Sequence, residues 1–240
     1  ALQNSYAEHV LSGKALPINY STYVSEFQTF GTDAKNFSVS VTRSVSRLKS
    51  VFINFDRARQ TGNKNALERS IVNSFVHPMG NNDFSTAVYD FDKELQWQLQ
   101  IGSKMFPEYP VKSLAETFYQ LKKALGIHGS AFHSVAITPQ EYINDKFIIA
   151  VDTEKILEAG FSGLNTRAGD LMVIKGRPAN AGTFADNFAN ALSLILHTDQ
   201  ILEIRDSGSQ VFDQRINICI YIYIYIYIHV FQYIEYIIFL

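Results

Sequence analysis

Between Glu94 and Ile101 the chain reads Glu-Leu-Gln-Trp-Gln-Leu-Gln-Ile, with an apolar residue at every second position and Glu or Gln between. A period of two belongs to a strand, because successive side chains leave a pleated backbone on opposite faces. The segment predicts a strand that buries Leu95, Trp97, Leu99 and Ile101 on one face and turns Gln96, Gln98 and Gln100 to water. A strand of this kind needs a second layer over its apolar face, which points to two packed sheets. The same alternation sets Phe37, Val39 and Val41 against Ser38, Ser40 and Thr42, and places Val51, Ile53 and Phe55 on one side of Ser50–Phe55. Both segments read as strands. Shorter apolar runs at Lys146–Val151, Leu171–Ile174, Ala191–His197 and Ile201–Ile204 add four more, and Asp206-Ser207-Gly208 is a turn ahead of Val211 and Phe212.

One segment departs from this period. Ser113-Leu114-Ala115-Glu116 is a capping box, in which the Ser113 hydroxyl accepts from the Glu116 amide and the Glu116 carboxylate reaches back to the Ser113 amide. Leu114, Phe118, Leu121 and Leu125 then recur at helical spacing. Lys122 and Lys123 occupy the last turn, and Gly126 stands where a left-handed residue ends a helix. One short helix is expected, about residues 113–125, in an excursion between strands, with Phe118 and Leu121 joining the core. Pro107 and Pro110 mark a sharp link from strand to helix. Residues 1–35, interrupted by Gly13, Pro17 and Gly31, read as mostly loop with one or two strands, an N-terminal remnant or arm. The polar stretch 56–83 reads as a long excursion of the kind that carries function or contacts. Many short strands with turn chemistry between them, and no alternation of strand with helix, predict an all-β chain: a jelly-roll β-sandwich over residues 36–215.

Composition agrees and removes whole classes. Eighteen Phe and thirteen Tyr favour sheet over helical bundle, and a chain that is 47% hydrophobic has too much apolar surface to stay disordered. With 21 basic and 23 acidic side chains the net charge is −2, so bulk positive charge is not available for holding nucleic acid. Cys219 is the only cysteine, which excludes an intrachain disulfide and a Cys-rich zinc site. The sequence opens Ala1-Leu2-Gln3 with no secretory signal, and an upstream truncation is expected. Residues 216–240 are almost wholly apolar, with Ile and Tyr alternating over 220–228. The length would suit a membrane span and the period a strand. A dinucleotide AT repeat read in frame also gives alternating Ile and Tyr codons, and the tail is read as non-native read-through.

No catalytic constellation assembles in the sequence. Gly102-Ser103-Lys104 has the letters of a phosphate loop in the wrong order and reads as a strand-end turn. Gly160-Phe161-Ser162-Gly163 lacks the spacing of a nucleophile elbow. His128 and His133, five apart, share neither a helix face nor a strand face and read as loop histidines. Asp152 and Glu154 read as a solvated strand end, and His197, Asp199, Glu203 and Asp206 as surface polar residues at strand margins. Arg43, Arg47, Lys49, Arg57 and Arg59 form the one basic cluster, without interleaved aromatics, and read as a solvated face. No catalytic, cofactor-binding or metal-binding residue is expected.

Four stretches resemble the major capsid proteins of double-jelly-roll DNA viruses, in particular the virophage and Polinton-like group: Ser46–Phe55, Leu95–Gly126 with Gln100–Pro110 at its centre, Lys146–Lys175 with Asn165–Leu171, and Leu194–Asp213. The resemblance covers about residues 37–213. It implies a structural virion protein without enzymatic activity or cofactor, and a C-terminal-barrel fragment or a truncated endogenous viral element. Its partners would be copies of itself, in trimeric capsomers, and minor capsid proteins. Specific nucleic acid is not implied, nor a membrane unless the 216–240 tail is real. Its place would be the virion or the host-cell interior, not reached by a signal peptide. The same sandwich also suits a ligand- or carbohydrate-binding jelly-roll module.

Overall fold

The computed structural model describes residues 2–29, 36–56, 75, 77–78, 94–127, 135–144, 146–154, 163–166, 171–178 and 191–212. Within them lie strands β1 (Leu16–Thr29), β2 (Phe37–Val41), β3 (Leu48–Asp56), β4 (Leu95–Ile101), β5 (Lys104–Val111), β6 (Ile149–Asp152), β7 (Met172–Pro178), β8 (Ala191–Arg205) and β9 (Gly208–Phe212). Helices α1 (Leu2–Leu11), α2 (Leu114–Ala124) and α3 (Pro139–Asn144) accompany them.

The strands form two antiparallel sheets. The first runs β1-β8-β3-β6, with β9 also on β8, and the second runs β2-β7-β4-β5. From β1 to β8 the chain crosses repeatedly between sheets, so most neighbours within a sheet are far apart in sequence. Two interlocked Greek keys with this strand order are a jelly roll. The excursion helix expected near 113–125 is α2.

The core lies between the sheets. In β2 the pattern is strictly buried, exposed, buried along Phe37–Val41, and Val51, Ile53, Phe55, Leu99, Ile149 and Ile174 are all fully buried. The Phe37 ring meets Phe55 edge-on at 5.8 Å and Phe55 lies 6.2 Å from Phe147. Each such side chain contributes roughly 1.5–3 kcal/mol on leaving water. Gly176 leaves room for the Phe37 ring, because a Cβ there would clash with the ring edge at Cζ and Cε1.

Side chains close both open flanks of the sandwich. On the flank where β1 and β2 are the sheet edges, the Glu26 carboxylate accepts from the Thr42 amide at 3.0 Å and its hydroxyl at 3.0 Å, and Gln28 Nε2 donates to the Ser40 carbonyl at 2.7 Å. On the other flank α2 packs against β6, with Phe118 edge-on to Tyr142 at 5.1 Å and Tyr142 against Phe147 at 5.2 Å. The buried Tyr142 hydroxyl donates to the Ile148 carbonyl at 2.6 Å, and burial holds its pKa above the ordinary tyrosine value.

Helix α2 begins and ends as its sequence dictates. Ser113 Oγ accepts from the Glu116 amide at 3.2 Å, but the Glu116 carboxylate reaches the Lys112 amide at 3.4 Å rather than that of Ser113. At the other end Gly126 has φ 70°, its amide donates to the Lys123 carbonyl, and the Ile127 amide donates to that of Lys122, the paired closure of a Schellman motif.

Several expectations change. The division at residue 36 does not hold for β1, which pairs residue for residue with β8 from Leu16 to Thr29 and so belongs to the sandwich, not to an arm. The runs Ala191–His197 and Ile201–Ile204 are one strand, because the polar residues between them find partners within the sheet. Pro107 and Pro110 lie inside β5 rather than in a link, which is tolerated because β5 is an edge strand and a missing amide there breaks no ladder. Two further helices appear beside the one expected. Helix α1 stops at Gly13, φ 78°, whose amide donates to the Val10 carbonyl. Helix α3 starts from a second capping box: Thr138 Oγ1 accepts from the Glu141 amide at 3.3 Å while Glu141 Oε2 accepts from the Thr138 amide at 2.8 Å, with Pro139 in the first helical position. Most of the 56–83 excursion, the 216–240 tail, His128, His133, Arg57, Arg59, Lys155 and Cys219 lie outside the described residues. No helix among the described residues is long and apolar enough to cross a membrane.

Candidate functional site

The sequence-predicted core residues sit on the inner face of β4 and on α2. Leu95, Trp97, Leu99 and Ile101 are 3%, 1%, 0% and 2% exposed, Leu121 is buried, and Phe118 is half-buried against them. Trp97 is more than filler: its indole Nε1 donates to Thr117 Oγ1 at 3.0 Å, and that hydroxyl in turn donates to the Ser113 carbonyl at 3.0 Å. Thr117, 2% exposed, thus ties the second sheet to the first turn of α2.

The opposite face of β4 is not simply turned to water. Gln96 is 8% exposed and Gln98 and Gln100 are half-buried. Each finds work within the sheet. Between Trp97 and Leu99 the pairing with β5 skips, so that Pro107 to Pro110 bulge away from the ladder. Gln98 Nε2 fills the gap by donating to the Pro107 carbonyl at 2.9 Å and the Glu108 carbonyl at 3.0 Å. Gln96 Oε1 accepts from Arg177 Nε at 3.1 Å, and Gln100 Oε1 from Lys175 Nζ at 2.6 Å. Gly102, φ 59°, turns the chain from β4 into β5.

The outer face of the first sheet gathers the polar residues that sequence reasoning had placed on the surface. A bulge at Lys49, between the pairs Leu48 to Thr198 and Ser50 to His197, lets Leu48 enter the core while Lys49 turns outward. Lys49 Nζ then lies 3.5 Å from Asp199 and 3.7 Å from Glu154. Asp199, only 4% exposed, also accepts from Ser21 Oγ at 2.6 Å. The Tyr20 hydroxyl donates to Gln200 Oε1 at 2.7 Å, and Asp152 Oδ1 accepts from the Glu154 amide at 2.9 Å. Ser50 Oγ and His197 Nδ1 are 3.2 Å apart, and the Tyr23 ring stacks on His197 at 4.8 Å and 16°. Burial, followed by the nearby Lys49 charge, lowers the His197 pKa from its ordinary value. Glu203 stays in contact with Arg205 at 2.8 Å, and Asp206 is exposed in the β8–β9 turn.

A serine and a histidine within hydrogen-bond reach are the parts of a nucleophile and its base. Here the Ser50 side chain lies under its neighbours at 3% exposure, and Asp199 is committed to Lys49 and Ser21. The cluster locks β1, β3 and β8 together: the Lys49 charge is met by Asp199 and Glu154, while Gln200 Nε2 is a buried donor left without a partner among the described residues. Among the described residues no group of His, Cys, Asp and Glu could hold a metal ion.

Among the described residues, four of the eight large apolar side chains left in water lie on sheet edges: Ile18 and Phe27 on β1 are 41% and 56% exposed, and Met105 and Tyr109 on β5 are 39% and 76% exposed. The others are Tyr6 and Leu11 of α1, Tyr119 of α2 and Leu171 ahead of β7. β1 and β5 are edges on opposite flanks of the sandwich.

No family model matches the chain, and no curated protein matches it. Solved structures to which it is similar include PBCV-1 VP54 fitted into a reconstruction of the virophage Sputnik, with 11% identity, TM-score 0.41, and coverage of 82% of this chain and 52% of that one. The PBCV-1 virus capsid gives 11% identity, TM-score 0.40 and the same coverages. The Sputnik virophage structure gives 11% identity and TM-score 0.38, over 82% of this chain and 38% of that one. The chain spans about half the length, or less, of these chains.

Proposed function

We propose that this chain is a structural subunit of a protein shell, a capsid-like jelly roll that performs no reaction and associates with copies of itself. One observation carries the reading: among the described residues, four of the eight exposed large apolar side chains fall on two opposite sheet edges, Ile18 and Phe27 on β1 and Met105 and Tyr109 on β5. Two different sticky flanks on one molecule favour head-to-tail contact, and head-to-tail contact closes into a ring when the rotation between neighbours divides a full turn. A trimer is the smallest such ring, and the virion is where it would act. The polar cluster around Lys49 and His197 supports the same role, because Lys49, Asp199, Glu154 and Ser21 are held by one another and stiffen a building block.

Size-exclusion chromatography with light scattering tests this on the whole chain and on a chain ending at Arg215. Both are expected to run at multiples of the monomer mass, which is 27.2 kDa for the whole chain. Monomers at every concentration would overturn the reading.

A further inference from the structure

We propose that the outer face of the second sheet binds a ligand that carries two oxyanion groups, sulfate, phosphate or carboxylate, on a hydroxyl-bearing frame. A depression of about 330 Å³ lies across β2, β7 and β4, lined by Asn36, Ser38, Gln96, Gln98, Lys175 and Arg177 among others, and among the described residues no acidic side chain lines it. That volume is at the lower end of small-ligand sites.

The two cations are placed for the task. Lys175 and Arg177 are two apart on β7 and both exposed on the outer face, so their stems rise roughly 7 Å apart along the strand. Neither has an acidic partner among the described residues. Their side-chain partners among the described residues are neutral: Gln100 Oε1 holds the ammonium and Gln96 Oε1 holds the guanidinium through Nε. A glutamine oxygen orients a cation without cancelling its charge. The outer edge of the Arg177 guanidinium is left for a two-pronged contact with an oxyanion. Asn36 and Ser38, exposed on the β2 side, supply donors and acceptors for hydroxyls. Among the described residues lining the depression no aromatic face is exposed for stacking, since Trp97 and Phe37 are buried beneath it. A neutral sugar is therefore a poor fit and an anionic one a good fit.

Titration calorimetry of the whole chain with a disulfated disaccharide, with inorganic sulfate and with an unsulfated disaccharide tests this. The disulfated sugar is expected to saturate one site per chain and to bind at least tenfold tighter than sulfate. It should weaken at least tenfold in the Lys175→Gln/Arg177→Gln variant, whose melting temperature serves as the folding control. Added salt should weaken it further. Absence of saturation at millimolar ligand, equal binding of the unsulfated sugar or of sulfate alone, or indifference to the double substitution would overturn the proposal. Light scattering on the same samples reads assembly separately, so failure of ligand binding and failure of self-association are distinct results.

Discussion

Replacing Trp97 with alanine is expected to lower the unfolding free energy by roughly 3 to 5 kcal/mol, the cost of emptying a large aromatic site in a core that can collapse only partly. The ring is 1% exposed in the middle of β4, and its loss also strands Thr117, whose hydroxyl receives the indole N–H at 3.0 Å. Thr117→Val separates the two contributions. It keeps the volume and removes the acceptor, and is expected to cost about 1 to 3 kcal/mol through the unpaired buried indole N–H. Chemical denaturation followed by circular dichroism measures both. A Trp97→Ala loss below about 1 kcal/mol would place the ring outside the core.

Acid is expected to weaken the fold well before the carboxylates titrate. His77 is 3% exposed, its ring 4.4 Å from that of Phe147, and burial pushes its pKa down to about 3. A histidine depressed in the folded state and ordinary in the unfolded one protonates first on unfolding. Its contribution is therefore complete above about pH 6.5 and declines as pH falls toward 3, at roughly 1.4 kcal/mol per pH unit. His197, lowered by burial and then by Lys49, acts in the same direction. Between pH 7.5 and 5 the loss from His77 is expected to be about 2 kcal/mol, read from urea midpoints at the two values. His77→Phe should flatten most of that slope whatever it does to stability at pH 7.5. A slope unchanged by the substitution would contradict the assignment.

Strands were legible where their two faces differ in chemistry. Phe37–Val41 and Glu94–Ile101 alternate because one side meets the core and the other does not, so the period survives in the sequence. β1 was not legible: as an edge strand it buries only Val24 fully among its fourteen residues, and no clean period is imposed on it. β8 was divided at Thr198-Asp199-Gln200 because three polar residues in a row resemble a turn. Their partners Ser21 and Tyr20 stand nearly 180 positions away, a distance over which local pattern carries no information. The outward glutamines show the same limit: their alternation was readable, but not their ties to Lys175, Arg177 and the β5 bulge. Helix α3 is a different case: Thr138-Pro139-Gln140-Glu141 carries a full start signal, but the helix it opens is only six residues long and leaves no apolar period to read. The Lys49, Asp199 and Glu154 contacts depend on a bulge that no residue type announces.

Head-to-tail association through opposite edges is tested most directly by mixing two single-edge variants and weighing the products by mass photometry. Phe27→Asp puts a charge on the β1 edge and Tyr109→Asp puts one on the β5 edge, both at exposed positions where folding is little affected. Each variant alone keeps one working flank with nothing to receive it and is expected to be monomeric. The equimolar mixture restores one complementary pair and is expected to give dimers and nothing larger. Oligomers formed by either variant alone, or a mixture that stays monomeric while the unaltered chain assembles, would contradict the account.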